Sequence, residues 1–134
     1  MIILIAGYDT TGNTLAFAMY ELAKNPEIQD GLRAEVEDIT DGDSEKKLNY
    51  DDLQNMTYLD QILSETLRLH NVVGNLMRVT TKEYTIPGTD IILPQDSMVW
   101  INAVGLHFDT KHYSDPHTFN PDHFSKESKG KRNP

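Results

Sequence analysis

The sequence predicts a mainly helical fold with a small β-sheet, an α+β class, in a single domain. Apolar residues recur at helical spacing through the first 70 residues. Beyond them, short runs rich in β-branched residues surround a Pro-Gly turn, which is typical of strands. At 134 residues, the chain is long enough for one hydrophobic core and too short for two domains of typical size.

Two helices are predicted in the first 40 residues. Residues 2–22 are apolar nearly all round, which is typical of a helix that lies in a protein interior. The Asn-Pro-Glu sequence at 25–27 favours a helix start, because Asn caps, Pro suits the first turn and Glu meets the positive end of the helix dipole. The second helix has one apolar stripe and is predicted to end in the polar cluster at 40–44.

A third helix is predicted after a short helical turn at residues 50–54. Thr57 is predicted to cap it, with Asp60 three residues later. Apolar residues at helical spacing then continue to about His70.

The sheet region is predicted from a turn and an apolar run. Residues 84–86 and 91–93 flank Pro87-Gly88, which predicts a hairpin with Gly at the positive-φ position of its turn. The continuous apolar run at 98–101 predicts a strand buried on both faces. Beyond it we expect loops, a short helical stretch near 109–113 and a loose tail from residue 125.

Charge and cysteine content exclude several classes of function. A net charge of -9 and a pI near 4.8 argue against nucleic acid as the main partner, because phosphate binding needs a basic face. Without cysteine the chain can form no disulfide, thiolate ligand or zinc ribbon. The apolar run at residues 1–6 is too short to span a bilayer and lacks the features of a signal peptide, so any membrane anchor is expected outside this sequence.

The segment AGYDTT, residues 6–11, places an acid and two hydroxyls inside an otherwise apolar helix. Ala6 and Gly7 leave room for a flat ligand, and a Thr hydroxyl that competes for a backbone carbonyl can open the helix locally. Asp9 and Thr10 could then pass protons to a bound oxygen species. The alternative is that one of these two residues caps a helix that begins there.

Two further motifs give little evidence of function when each is taken alone. Glu65 and Arg68 share one side of a helix, a spacing that is common on solvated faces and contributes about half a kcal/mol or less. FNPDHF, residues 119–124, is typical of a packed loop.

Together and in this order, AGYDTT, ETLR and PDHF resemble the cytochrome P450 family of haem-thiolate monooxygenases, and the microsomal animal members in particular. The resemblance covers essentially all 134 residues and implies a fragment of the P450 fold. It implies a partial catalytic domain with four parts: an oxygen-activating helix at 1–24, helices including the Glu-x-x-Arg helix at 26–70, the small sheet at 75–103, and a loop region and tail at 104–134.

The resemblance also implies a role for individual residues. Thr10 would hydrogen-bond the dioxygen that the haem binds, with Asp9 as its proton-relay neighbour. Ala6 would lie over the haem face and Arg78 would meet a haem propionate. Three apolar or small residues would line the substrate pocket: Val73, Gly74 and Leu76. The alternatives are a surface charge for Arg78 and plain core for the apolar three.

Glu65 and Arg68 would form a buried, bidentate pair that locks their helix to the turn at His123, a structural role. His123 stands where Arg is more usual in the family, and Asn71-Val72 stands where prolines often follow the helix. Because of the second departure, the family resemblance does not predict the shape of the nearby pocket.

The implied enzyme inserts one oxygen atom from O2 into an apolar small molecule, with a haem cofactor and electrons from an NADPH-dependent reductase. It would lie on the cytosolic face of the endoplasmic reticulum membrane, with membrane contact only through upstream segments. Because the chain has no cysteine, it is expected to be a C-terminal-half fragment that ends before the haem-binding cysteine loop and is inactive alone.

Two alternatives remain open. One is a non-catalytic remnant of the same ancestry that serves as an interaction module. The other is a metal-binding module, for which the sequence offers borderline ligands in its last third. These candidate ligands are His107, Asp109, His112, Asp115, His117 and His123.

Overall fold

A computed structural model describes residues 2–131, with side chains from residue 6 to residue 130. Four helices come first: α1 (Ile2–Lys24), α2 (Pro26–Thr40), α3 (Tyr50–Asn55) and α4 (Thr57–Leu69). Four short strands follow: β1 (Leu76–Val79), β2 (Tyr84–Thr85), β3 (Ile92–Leu93) and β4 (Met98–Ile101). The described chain ends with α5 (Ala103–His107), a 3-10 helix (Pro121–Phe124) and α6 (Lys126–Lys131). This architecture confirms the predicted α+β class.

The centre of the fold is α4, which packs against α1, α2 and the 3-10 helix. Its apolar contribution to the core is Ile62, which is 1% exposed. Ala18 of α1, Met56 and Phe119 complete the small apolar core among the described residues. The predicted apolar stripe of α2 is half-buried against these elements. Because α4 contacts α1, α2, α5 and the 3-10 helix, its side chains can join parts of the chain that are distant in sequence.

Within the described residues, the first helix is covered only in its C-terminal half. Ala18 and Glu21 are buried, whereas residues 6–13 are exposed. A helix buries only the face against which another element packs. Here α1 is covered mainly at its C-terminal half, by α2 and α4.

The starts of α2 and α4 are capped differently from the prediction. Asn25 takes the N-cap position of α2, but its side chain makes no capping bond and donates instead to the Glu21 carbonyl at 2.8 Å. Thr57 is the first residue of α4 and not its cap. The Glu35 carboxylate of α2 accepts the Tyr58 and Leu59 amides at 2.7 and 2.9 Å, so the cap comes from another helix.

The strands form two separate two-stranded antiparallel ladders, β1 with β4 and β2 with β3, where the sequence predicted one sheet. The β2–β3 hairpin turns at Ile86–Thr89, where the Thr89 amide donates to the Ile86 carbonyl at 3.1 Å. Gly88 has a φ of 76°, so the predicted Pro-Gly turn is confirmed. This hairpin lies in the connection between β1 and β4.

The prediction that β4 is buried on both faces is wrong. Three of its four residues are exposed, and Trp100 is 62% exposed. The strand has one hydrogen-bonded neighbour, β1, whose residues are also exposed. A continuous apolar run requires covering layers to become buried, and this ladder has little cover in the described part of the chain.

Two predictions for the last third are also corrected. Residues 109–113 form hydrogen-bonded turns and no helix. The nearest regular helix is α5, which ends at His107. The tail is not loose up to residue 131, because α6 occupies Lys126–Lys131; residues 132–134 lie outside the described residues. Among the helices of residues 2–131, none combines the length and apolarity needed to cross a membrane.

Candidate functional site

The AGYDTT segment lies on the exposed N-terminal half of α1. The Thr10 hydroxyl donates to the Ala6 carbonyl, and the Thr14 hydroxyl donates to the Thr10 carbonyl at 2.8 Å. The helix is nevertheless continuous, so the expected local opening is wrong: a carbonyl has two lone pairs and can serve an amide and a hydroxyl together. Asp9 and Thr10 lie inside the helix, which excludes the alternative that either begins it.

An open groove of about 410 Å³ runs between α1 and α4 beside this segment. Six side chains line it: Thr10, Thr11, Thr14, Leu15, Leu63 and Leu67. The threonines therefore bring hydroxyls to the edge of a mainly apolar surface.

Glu65 and Arg68 on α4 form a buried, bidentate ion pair. Arg68 Nε donates to Glu65 Oε2 at 2.7 Å, and Nη2 donates to Oε1 at 2.8 Å. The side chains are 1% and 0% exposed. The surface-pair interpretation that the spacing alone favours is therefore wrong. Asp30 and Arg33 on α2 have the same spacing and are 69% and 58% exposed, as that interpretation would require.

Every N–H of the Arg68 guanidinium has an acceptor. Besides the two bonds to Glu65, Nη1 donates to the carbonyls of His107 and Pro116 at 2.8 and 2.7 Å. Nη2 also donates to the Thr118 carbonyl at 3.3 Å. Arginine has five donors and no acceptor, so this arrangement satisfies it completely. One side chain of α4 thereby holds three points of the backbone between residues 107 and 118.

The Glu65 carboxylate fastens the 3-10 helix. Its Oε1 accepts the Asn120 amide at 2.9 Å and lies 3.1 Å from His123 Nδ1. The other ring nitrogen of His123, Nε2, lies 2.7 Å from the Ser114 carbonyl. Both of these oxygens can only accept, so both contacts are hydrogen bonds when each ring nitrogen carries a proton. The structure thus brings Glu65, Arg68 and His123 together in one network.

The remaining predicted site residues lie outside this network. Arg78 is on β1, exposed, and its Nη1 donates to the neighbouring Met77 carbonyl at 2.9 Å. Val73 is exposed and Gly74 half-buried between α4 and β1, and Leu76 begins β1 and is exposed. Among the described residues, no hydrogen bond or ion pair joins Arg78 to the AGYDTT segment.

One pair that the sequence did not reveal is Asn71 with His107. Asn71 Oδ1 accepts the Val73 amide at 2.8 Å, and its Nδ2 lies 3.3 Å from His107 Nδ1. Burial lowers the pKa of His107; a hydrogen bond to the Arg68 backbone partly offsets this, and the positive charge of Arg68 lowers the pKa further. The only early signal was that Asn71 stands where a proline is usual.

A second missed pair is Glu21 with His70, which joins α1 to the end of α4. His70 Nε2 lies 2.8 Å from Glu21 Oε1, and Glu21 is 5% exposed. The His70 ring also stacks on Phe17, with centroids 4.2 Å apart. The residues lie 49 positions apart, so no local pattern could have shown the contact.

The structure does not support the alternative of a metal centre. Within residues 2–131, no three His, Cys, Asp or Glu side chains converge as ligands would. His107 and His123 are engaged as described above, and His117 packs against Phe108 with ring centroids 5.0 Å apart.

Comparison with known proteins gives a consistent result. The model of the family described as cytochrome P450 matches residues 1–134. Cytochrome P450 6B6 of Helicoverpa armigera is 42% identical over 130 residues, which is 97% of this chain and 26% of that protein. Cytochrome P450 6l1 of Blattella germanica is 41% identical over 129 residues, 96% of this chain and 25% of that protein. Probable cytochrome P450 6a13 of Drosophila melanogaster is 40% identical over 134 residues, 100% of this chain and 27% of that protein.

The chain spans about a quarter of the length of these relatives. The match nevertheless includes all three motifs, and the buried Glu65–Arg68 pair stands at the centre of the fold. The chain belongs to the cytochrome P450 family.

Proposed function

We propose that these 134 residues are part of the catalytic domain of a haem-thiolate monooxygenase. The observation that carries the proposal is the buried network of Glu65, Arg68 and His123 in a chain of this family. A fully satisfied ionic network holds the loops around it in one arrangement, which a cofactor site requires of its support. Its role is structural, because Glu65, Arg68 and His123 are buried and their polar groups contact one another and the backbone.

The described residues fit a haem in part. Ala6 has only a methyl side chain and Gly7 has none; both lie on an exposed helix face, and a Cβ added at Gly7 would meet nothing within 4 Å. The exposed guanidinium of Arg78 suits a propionate carboxylate. The chain has no cysteine, so these residues cannot supply the thiolate. When bound, a thiolate-ligated haem supplies the iron chemistry that activates dioxygen.

Thr10 and Asp9 are proposed to deliver protons at the exposed face of α1. In the structure the Thr10 hydroxyl gives its hydrogen bond to the Ala6 carbonyl. Turning that hydroxyl away from the carbonyl frees its proton for a donor role, and its oxygen can accept a replacement proton. Asp9 is exposed beside it and can exchange protons with solvent.

The substrate is proposed to be an apolar small molecule in contact with Val73, Gly74 and Leu76. These residues are apolar or small and offer no charged group to a ligand. Electrons are proposed to come from an NADPH-dependent reductase. The proposed location is the cytosolic face of the endoplasmic reticulum membrane, which rests on likeness to microsomal family members.

The proposal is tested by Thr10→Ala in the full-length protein that contains this sequence. We expect product formed per O2 consumed to fall by about tenfold or more, with hydrogen peroxide released instead, since positioned proton transfer commonly contributes 10²–10⁴-fold. Thr11→Ala is the matched control, because it removes a neighbouring hydroxyl of the same groove and should preserve coupling. Wild-type coupling in Thr10→Ala would refute the role assigned to Thr10.

A further inference from the structure

The backbone that leaves α4 is held by the side chain of Asn71. The Asn71 carbonyl oxygen Oδ1 accepts the Val73 amide two residues on, at 2.8 Å. This is an Asx turn, which bends the chain as a local substitute for a backbone turn. It leads directly into the segment that carries Val73, Gly74 and Leu76, so the direction of that segment depends on Asn71.

The second end of the Asn71 amide is held by His107. Because Oδ1 faces an amide donor, the other end of the side chain must be the Nδ2 donor, which faces His107 Nδ1 at 3.3 Å. That nitrogen must then accept, which places the proton of a neutral ring on Nε2. The lowered pKa of His107 agrees with a ring that stays neutral.

A second contact joins the segment 71–74 to α5. The Val104 amide of α5 donates to the Gly74 carbonyl at 3.3 Å. A Cβ added at Gly74 would lie 3.5 Å from Val104 Cγ2, so a larger residue at position 74 would be in van der Waals contact with α5. The His107 carbonyl accepts Arg68 Nη1 at 2.8 Å, which anchors α5 to the buried network. The segment 71–74 is therefore fastened to a rigid support through Asn71 and His107.

We propose that Asn71 and His107 are positioning residues that set the shape of the substrate pocket by fixing the path of residues 71–74. This inference rests on the proposed function, because it requires that segment to line the pocket. It predicts that the pair controls which sizes of apolar ligand are accepted, while neither side chain needs to touch the ligand.

The test measures ligand size preference in the haem-loaded, full-length protein. Toluene, naphthalene and phenanthrene are titrated separately, and the change in haem absorption gives a dissociation constant for each. Loss of one net hydrogen bond, about 0.5–1.5 kcal/mol, corresponds to a change of about two- to tenfold. We expect the ratio of the phenanthrene and toluene constants to change by that factor in both Asn71→Ala and His107→Phe.

A double variant and a rescue variant distinguish a positioning role of Asn71 and His107 from a general loss of protein stability. The double variant should change the ratio no more than Asn71→Ala alone, since that variant already removes the bond that His107→Phe removes. His107→Asn should restore the wild-type ratio, because its amide oxygen takes the place of Nδ1 as an acceptor. His112→Phe makes the matching substitution at an exposed histidine and should leave the ratio unchanged.

Haem content and unfolding midpoints are recorded for every variant. If Asn71→Ala does not retain haem, the comparison of His107→Phe with His107→Asn carries the test alone. Lower stability with an unchanged ratio would overturn the inference and leave the proposed function standing. Absence of haem from the wild-type protein would instead overturn the proposed function, and the inference with it.

Discussion

Replacing Arg68 with alanine removes the side chain that binds three backbone carbonyls between residues 107 and 118 to α4. The change leaves the Glu65 carboxylate, 0% exposed, without two of its hydrogen bonds. It also removes the donor from the carbonyls of His107, Pro116 and Thr118. Breaking a buried ion pair by removing one partner typically costs about 3–5 kcal/mol. Since a domain is stable by only about 5–15 kcal/mol, we expect partial unfolding and loss of haem.

The assay is urea unfolding of the full-length protein, with haem content measured on the same samples. Arg33→Ala is the matched control, because Arg33 pairs with Asp30 at the same spacing on an exposed helix face. Its loss should change the free energy of unfolding by about 0.5 kcal/mol or less. A haem-loaded Arg68→Ala protein within about 1 kcal/mol of wild type would refute the role given to the buried network.

Three further predictions concern contacts around α4. Glu35→Ala should lower the free energy of unfolding by about 1 kcal/mol because two amides lose their cap, whereas Glu37→Ala, which removes an exposed carboxylate, should have little effect in the same urea assay. His123→Arg should preserve stability and His123→Leu should cost about 1–3 kcal/mol, since arginine can donate to both facing oxygens and leucine to neither; equal losses would contradict this. His107 has a pKa below its usual value of about 6.5, so the folded state binds fewer protons than the unfolded state. The neutral ring's contribution to the free energy of unfolding is therefore complete above pH 6.5 and is lost as the pH falls below it. His107→Asn should flatten that part of the plot of unfolding free energy against pH.

Local patterns in the sequence predicted most of the helices and the hairpin. Helical periodicity placed α2 and α4, because one face of each is covered by a neighbour. Pro87-Gly88 predicted its turn because the backbone conformation there depends on the two residues themselves. Features that depend on distant residues were missed: Glu35 caps a helix that begins 22 positions later, at Thr57.

Burial could not be predicted from the same patterns. The apolar residues of β4 and of the first half of α1 are exposed, because burial requires another element to cover them. Conversely, the Glu65–Arg68 spacing is that of an ordinary surface pair, and only the family resemblance predicted its burial. The Asn71–His107 contact was unforeseen for a third reason: a side chain standing in place of a usual residue does not reveal its partner.

The proposed haem-thiolate function is tested by the absorption spectrum of the full-length protein, reduced and exposed to carbon monoxide. We expect the Soret band of a haem with an axial thiolate. A protein that binds no haem, or whose band is that of a haem ligated by histidine, would contradict the proposed function.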